Sequence, residues 1–277
     1  MIDGNTRLIA HIGYPTHAFK APLIYNPWFE QSGVNVVVVP MGCKAENFPE
    51  FLKCLFKLSN IQGALITMPH KVRVKDLVDE LLPTAQIAGA CNAVRIGSKG
   101  QLQGEMFDGE GFVRGLRNKG LTLKGVRALI VGCGGVGSAI AASLAAAGAD
   151  CLKLFDSSPV SALDLASRLQ VHFPKLRILQ QDNSPEGCGL VVNATPLGML
   201  DDDPLPMNVA AISPSSFVGE VVMREKITPF LHACIAKGCR VQIGLDMLFE
   251  QIPAYLEFFN LPVASSGVLR RLSKLPE

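Results

Sequence analysis

The sequence is most easily bounded by what it lacks. No apolar run approaches the length that a membrane-spanning helix needs, about 20 residues. The N-terminal stretch MIDGNTRLIAHIG carries no signal-peptide core. Lys and Arg form no long block and the net charge is only +2, which argues against a nucleic-acid face. The eight cysteines include no C-x-x-C pair. Cys54, Cys151 and Cys234 sit in apolar contexts, so buried thiols are expected, not disulfides or zinc ligands. There is no low-complexity segment and no internal repeat. These absences predict a cytoplasmic globular protein with no metal and with neither nucleic acid nor membrane as partner; separately, a monomer or homodimer is expected.

The chain is long enough for one large or two small domains at 277 residues, and its 48% hydrophobic against 18% charged content supports a sizeable core. The most informative stretch is Ala128 to Ala142, ALIVGCGGVGSAIAA. Four apolar residues run into Gly132, Cys133, Gly134, Gly135, Val136 and Gly137, and an alanine-rich helical run follows. This is strand, glycine turn and helix N-terminus, with G-x-G-x-x-G filled by Gly132, Gly134 and Gly137. Gly132 allows the sharp turn, Gly134 lets backbone approach a pyrophosphate, and Gly137 lets helix pack against strand. The helix's unpaired N–H groups and positive dipole end then face the anion. A second apolar strand, Cys151 to Phe155, ends in Asp156, which lies 19 positions after Gly137 (156 − 137). A carboxylate there suits the ribose hydroxyls of NAD. The bland alternative is a glycine-rich turn in an α/β domain without a ligand.

Strands and helices alternate along the rest, which predicts βαβ units and a mainly parallel sheet. Leu8 to Ile12 is a buried strand ending at Gly13-Tyr14-Pro15, and a helix starts near Pro22. Val36 to Val39 reads as a strand buried on both faces. Phe48 to Ser59 has helical periodicity, Gly63 to Met68 is a strand, and Val72 to Leu82 reads as a charged amphipathic helix. Gly89 to Val94 holds a short strand, and Ser98-Lys99-Gly100 a hairpin turn. Gly104 to Gly111 opens a helix leading into a second domain. Its later strands are expected at Leu176 to Leu179, Leu190 to Asn193, Phe217 to Val222 and Arg240 to Ile243. Helices are expected at Val160 to His172, Ile227 to Lys237, Met247 to Phe259 and Val268 to Leu275.

Three further features could carry chemistry. Lys71 follows a strand's carboxyl end, where open α/β sheets bind ligands, yet a lone lysine is usually solvated. Asp108 opens the helix between the domains, and an Asp there is also a common N-cap. The polar turn Asn193-Ala194-Thr195-Pro196-Leu197-Gly198-Met199 follows a strand, where it would face the nicotinamide half of a cofactor or simply connect β to α.

Seven segments, in order, resemble the shikimate/quinate dehydrogenase family along nearly the whole chain. They are GYPTHAFKAPLIYN (13–26), MPHK (68–71), GACNAV (89–94), GEMFDGEGF (104–112), GCGGVG (132–137), NATPLGM (193–199) and GLDMLFEQ (244–251). The resemblance implies an α/β protein of two domains. A mainly parallel substrate domain would be built from 1–105 plus 245–277, and a Rossmann NAD(P)-binding domain from 106–244, with the active site in the cleft. It implies an oxidoreductase that moves a hydride reversibly between NAD(P) and a cyclic hydroxy-acid of the shikimate or quinate type, within aromatic amino acid biosynthesis. Lys71 and Asp108 match the family's catalytic pair. Alcohol oxidation needs a group that takes the hydroxyl proton as hydride leaves, and a lysine held by a carboxylate can do so. Thr67, Asn92 and Gln251 match substrate-binding positions. Gly132, Gly134, Gly135, Val136, Gly137, Asp156, Asn193, Thr195 and Gly244 fall at cofactor positions.

The departures from the family are concentrated in the substrate shell. Phe19 and Ala21 stand where the family usually has two serines for the substrate carboxylate. Met106 and Phe107 replace Asn and Thr before Asp108, Leu65 replaces an Asn, and Met223 a Tyr. Lys20, Thr16 or His17 are left as carboxylate contacts. Unpaired polar groups on a buried ligand cost about 1–3 kcal/mol each, so a less polar preferred substrate and weak shikimate activity are expected. The turn Phe155-Asp156-Ser157-Ser158-Pro159 carries a carboxylate and no Arg, which predicts NAD over NADP. Competing readings are a non-catalytic nucleotide-binding protein, favoured by the substituted first loop and opposed by Lys71 and Asp108, and another Rossmann chemistry such as methyl transfer.

Overall fold

The computed structural model describes residues 2–180, 182–224 and 227–275. The chain divides into two compact units, 1–107 with 252–277, and 108–251.

The first unit opens with β1 (Arg7–Gly13), α1 (Ala21–Ser32), β2 (Val36–Gly42), α2 (Phe48–Leu55) and β3 (Ile61–Ile66). These three strands pair in parallel with β1 central, so Ile9, Ala10, Ile12, Ala64 and Ile66 are buried. Pro22 sits in the first turn of α1 and Gly33 closes it at φ 68°, in the left-handed region that favours glycine. Next come β4 (Glu80–Leu81), α3 (Pro83–Ala88), β5 (Ala93–Ile96) and β6 (Leu102–Glu105). The sheet order is β2-β1-β3-β5-β6-β4, with β5 antiparallel to both neighbours.

The helix expected over Val72 to Leu82 does not form. One 3-10 turn, Arg73–Asp76, buries Val74, and the chain then pairs Glu80 and Leu81 with Gln103 and Gly104. The Asp79 carboxylate accepts the Leu102 N–H at 2.7 Å and its own N–H donates to the Leu102 carbonyl. Strand pairing thus outweighs a helical apolar period, and Pro83 starts a separate helix. The strand expected within Gly89 to Val94 begins only at Ala93, because Gly89 ends α3 at φ 63°.

The second unit runs through α4 (Asp108–Asn118), β7 (Arg127–Val131), α5 (Gly135–Ala146), β8 (Cys151–Phe155), α6 (Pro159–His172), β9 (Arg177–Gln180), β10 (Leu190–Asn193), β11 (Phe217–Glu220), α7 (Pro229–Ala236) and β12 (Arg240–Gln242). Its sheet is all parallel in the order β12-β11-β10-β7-β8-β9, the doubly wound dinucleotide-binding arrangement. Leu129, Val131, Val191, Val218, Phe230 and Leu231 form its core on one face. The packing of α4 on α5 is very close, since a Cβ on Gly109 would stand 2.0 Å from the Ala139 carbonyl oxygen.

The last helices are α8 (Gly244–Phe258) and α9 (Ser266–Leu272). The second division falls at 251/252, inside α8 and about two turns beyond the expected 244/245. Gln251 therefore packs with the nucleotide-type unit, while Met106 and Phe107 pack with the first.

Candidate active site

In the first unit the site residues gather at the carboxyl edge of β1 and β3. Thr67 leaves β3 with its N–H donating to the Ile12 carbonyl, and the His70 N–H donates back to Thr67. His70 is buried, stacks on Phe48 at 4.0 Å, and its Nε2 lies 2.8 Å from the Cys43 carbonyl. Burial lowers its pKa, which keeps it an uncharged strut. Lys71 follows, half-buried, with its carbonyl accepting the Cys91 N–H at 2.8 Å. The lysine backbone is thus held on both sides by buried contacts, the condition for a positioned proton-transfer group.

Asn92 is buried and multiply bonded. Its carbonyl accepts Ile66 N–H, its N–H donates to the Glu105 carbonyl, and its Oδ1 accepts Phe107 N–H at 2.9 Å. Its side-chain oxygen holds the segment leading to Asp108. Glu105 does similar work: Oε1 accepts the N–H groups of Ala85 and Met106, and burial pushes its pKa up to about 7.

The positions that depart from the family have apolar surroundings. Leu65 and Met106 are core residues. Phe107 packs edge-on against Tyr255 and Phe258 at 4.9 and 5.3 Å. Ala21 is buried at the start of α1, and the Phe19 ring lies against His11, tilted by 31° with ring centroids 4.1 Å apart. Thr16 is half-buried and His17 exposed on the 3-10 turn Thr16–Ala18, beside half-buried Lys20. Sequence reading passed over His11. Its signal was a single polar residue inside the apolar strand LIAHIG.

In the second unit the glycine loop joins β7 to α5. Gly132 takes φ 101°, and a Cβ there would meet the Ala194 carbonyl at 2.8 Å. A Cβ on Gly137 would stand 1.9 Å from the Gly132 oxygen, so only glycine allows this approach. Gly134 is the exposed N-cap of α5, with no side-chain cap and open space around it. Gly135 and Val136 follow in the first turn, whose N–H groups have no intrahelical acceptors. A pyrophosphate fits such an uncapped, Cβ-free helix start. The Asp156 carboxylate accepts the Cys133 N–H at 2.7 Å and the Ser158 N–H at 2.8 Å. A carboxylate has about four acceptor sites, so these bonds leave capacity for ribose hydroxyls.

The turn after β10 is bonded within itself. Asn193 Oδ1 accepts both the N–H and the hydroxyl of Thr195, and its Nδ2 donates to the Leu197 carbonyl. These two side chains shape the loop. Glu220, at the end of β11, accepts the Thr228 hydroxyl, and burial pushes its pKa up to about 7. Met223 is exposed beyond that strand. Gly244 starts α8 where a Cβ would meet the Val222 oxygen at 2.3 Å. Gln251 is buried against Gly111, and its Oε1 has no hydrogen-bond partner. A buried orphan acceptor of this kind suits a ligand hydroxyl. Asp108 is buried in the first turn of α4, beside Gly109. Among the described residues no cluster of His, Cys, Asp or Glu could hold a metal, and no helix is long and apolar enough to cross a membrane.

Comparison with known proteins agrees with this architecture. The profile described as "Shikimate dehydrogenase substrate binding domain" matches residues 11–94, and the ThiF family profile matches residues 114–173. Shikimate dehydrogenase (NADP(+)) of Rubrobacter xylanophilus is 35% identical over 98% of this chain and 97% of its own length. The enzyme of the same name from Paramagnetospirillum magneticum is 32% identical over 97% of this chain and 98% of its own. Quinate dehydrogenase from Corynebacterium glutamicum, solved in complex with NAD, superposes with a TM-score of 0.84 at 27% identity, covering 96% of this chain and 98% of that one. With two α/β units, a doubly wound glycine-loop unit and relatives aligned end to end, the chain belongs to the shikimate dehydrogenase family of oxidoreductases.

Proposed function

We propose that this protein transfers a hydride reversibly between NAD(P) and the carbinol carbon of a cyclic hydroxy-acid of the shikimate or quinate type, with NAD preferred and shikimate a poor substrate. The observation that carries this reading is Lys71 kept in a braced turn at a sheet's carboxyl edge, in a chain whose polar substrate shell has become apolar. The first unit serves the substrate and the second the dinucleotide. The nicotinamide supplies the hydride acceptor or donor. Lys71 accepts the hydroxyl proton in oxidation and returns it in reduction, and the Asp108 carboxylate is its acidic partner. Thr67, Asn92 and Gln251 with Phe19 and Ala21 line the substrate side. Gly132 to Gly137 take the pyrophosphate, and Asn193, Thr195 and Gly244 shape the loops beside it. Asp156 accepts ribose hydroxyls and repels a 2′-phosphate, which favours NAD. The protein works in the cytoplasm as a monomer or homodimer.

The loss of hydroxyls at Phe19 and Ala21 also favours a second reading, a nucleotide-binding paralogue without turnover. A screen of cyclic hydroxy-acids with NAD and NADP, followed by absorbance of the reduced cofactor, separates the two. Turnover of at least one acid, faster with NAD, supports the enzyme. Efficient shikimate oxidation at micromolar KM overturns the altered substrate preference, and no turnover with any acid supports the paralogue.

A further inference from the structure

His11 is a polar side chain in the centre of an apolar strand. It lies on β1 opposite Leu65 of β3, two residues before the strand's carboxyl end, and is only 9% exposed. Its Nδ1 is buried without a hydrogen-bond partner. A native core seldom leaves a ring nitrogen so, because the lost hydration is not recovered. Its surroundings are those of the site. The Phe19 ring covers one side of the imidazole. That ring's Cζ, the Thr67 methyl and the Met68 carbonyl crowd the space beside Gly13. Burial, and after it the field of the Lys71 ammonium, lowers the imidazole pKa to about 4. At neutral pH the ring is therefore uncharged and offers one nitrogen donor and one acceptor.

A carboxylate set against this wall would meet a phenyl ring and a neutral imidazole, and the ammonium whose field reaches it, Lys71, is committed to the reacting hydroxyl, so its hydration is weakly replaced. An uncharged ester, ketone or hydroxyl would satisfy the orphan nitrogen without that penalty. We propose that His11 is a specificity-determining residue, whose Nδ1 hydrogen-bonds an uncharged oxygen of the substrate, so that the preferred substrate is a cyclic alcohol of the hydroxy-acid type whose carboxyl group is masked as an uncharged group such as an ester. This rests on the hydride-transfer reading above and names the substrate class of the same site.

The test compares shikimate with its methyl ester, two probes that differ in one charge, using NAD and the intact protein. The wild type is expected to favour the ester in kcat/KM by about tenfold or more. His11→Val is expected to lower ester kcat/KM about 10- to 100-fold, mainly through KM, while shikimate changes less than about threefold. His11→Asn, which keeps a polar group in the pocket, should recover part of the ester activity. The ester-to-acid ratio within one variant cancels general damage to the fold. A wild type that favours shikimate, or a valine variant that lowers both substrates equally, overturns the role of His11. Failure of the wild type to oxidise either compound or any acid of the wider screen overturns the hydride-transfer reading itself.

Discussion

Replacing Glu105 with Gln removes a charge buried in the first unit and leaves its shape. The side chain is 9% exposed, and its Oε1 accepts two backbone N–H groups, from Ala85 and Met106. Gln keeps that acceptor oxygen. Burial raises the carboxyl pKa from 4.5 to about 7. The folded protein therefore holds a proton that the unfolded chain has already released between these values. Stability is fully present below about pH 4.5 and is lost as pH rises through about 7. That difference corresponds to about 3.5 kcal/mol at most, at about 1.4 kcal/mol for each pH unit between the two values. Glu105→Gln should match the wild type near pH 5 and exceed it by about 1–3 kcal/mol near pH 8. Urea unfolding at the two pH values reads this difference directly, and the subtraction removes contributions from other groups such as Glu220. A variant destabilised equally at both values would refute burial of the charge as the cause.

Two further outcomes follow from the nucleotide unit. Gly137→Ala places a Cβ 1.9 Å from the Gly132 oxygen. It should weaken NAD binding by more than about tenfold and destabilise the unit by about 1–3 kcal/mol, measured by calorimetry and thermal melting. A Kd within twofold of wild type would contradict the close-approach role. Asp156→Ala removes the carboxylate that repels a 2′-phosphate, so the ratio of kcat/KM for NAD over NADP should fall about tenfold. An unchanged ratio would place the selectivity elsewhere.

The nucleotide unit was legible in the sequence because its signals are local. Gly132 to Gly137, the apolar run into β7 and the alanines of α5 each report short-range sterics, and the strand at Leu190 to Asn193 has the expected ends. Segment 72–82 was misread because its apolar spacing fits a helix, while the deciding contacts come from Leu102 to Gly104, more than 20 residues away. The domain limits shifted for a related reason: α8 is one helix, so no turn residue marks position 251/252. Of the proposed site residues, Lys71, Asp108 and Gln251 are picked out by motifs. Glu105 and His11 are not, since their importance arises from burial and missing partners that appear only after folding. Asn193 and Thr195 stand in the turn after β10 and in the segment NATPLGM, and their mutual hydrogen bonds shape that loop.

The most direct test of hydride transfer through a lysine acid–base group is Lys71→Ala, assayed for turnover and for NAD binding on one preparation. Turnover should fall about 100-fold or more, as loss of a general acid–base group does, with the Kd for NAD within about twofold. Turnover at the wild-type rate would contradict the account.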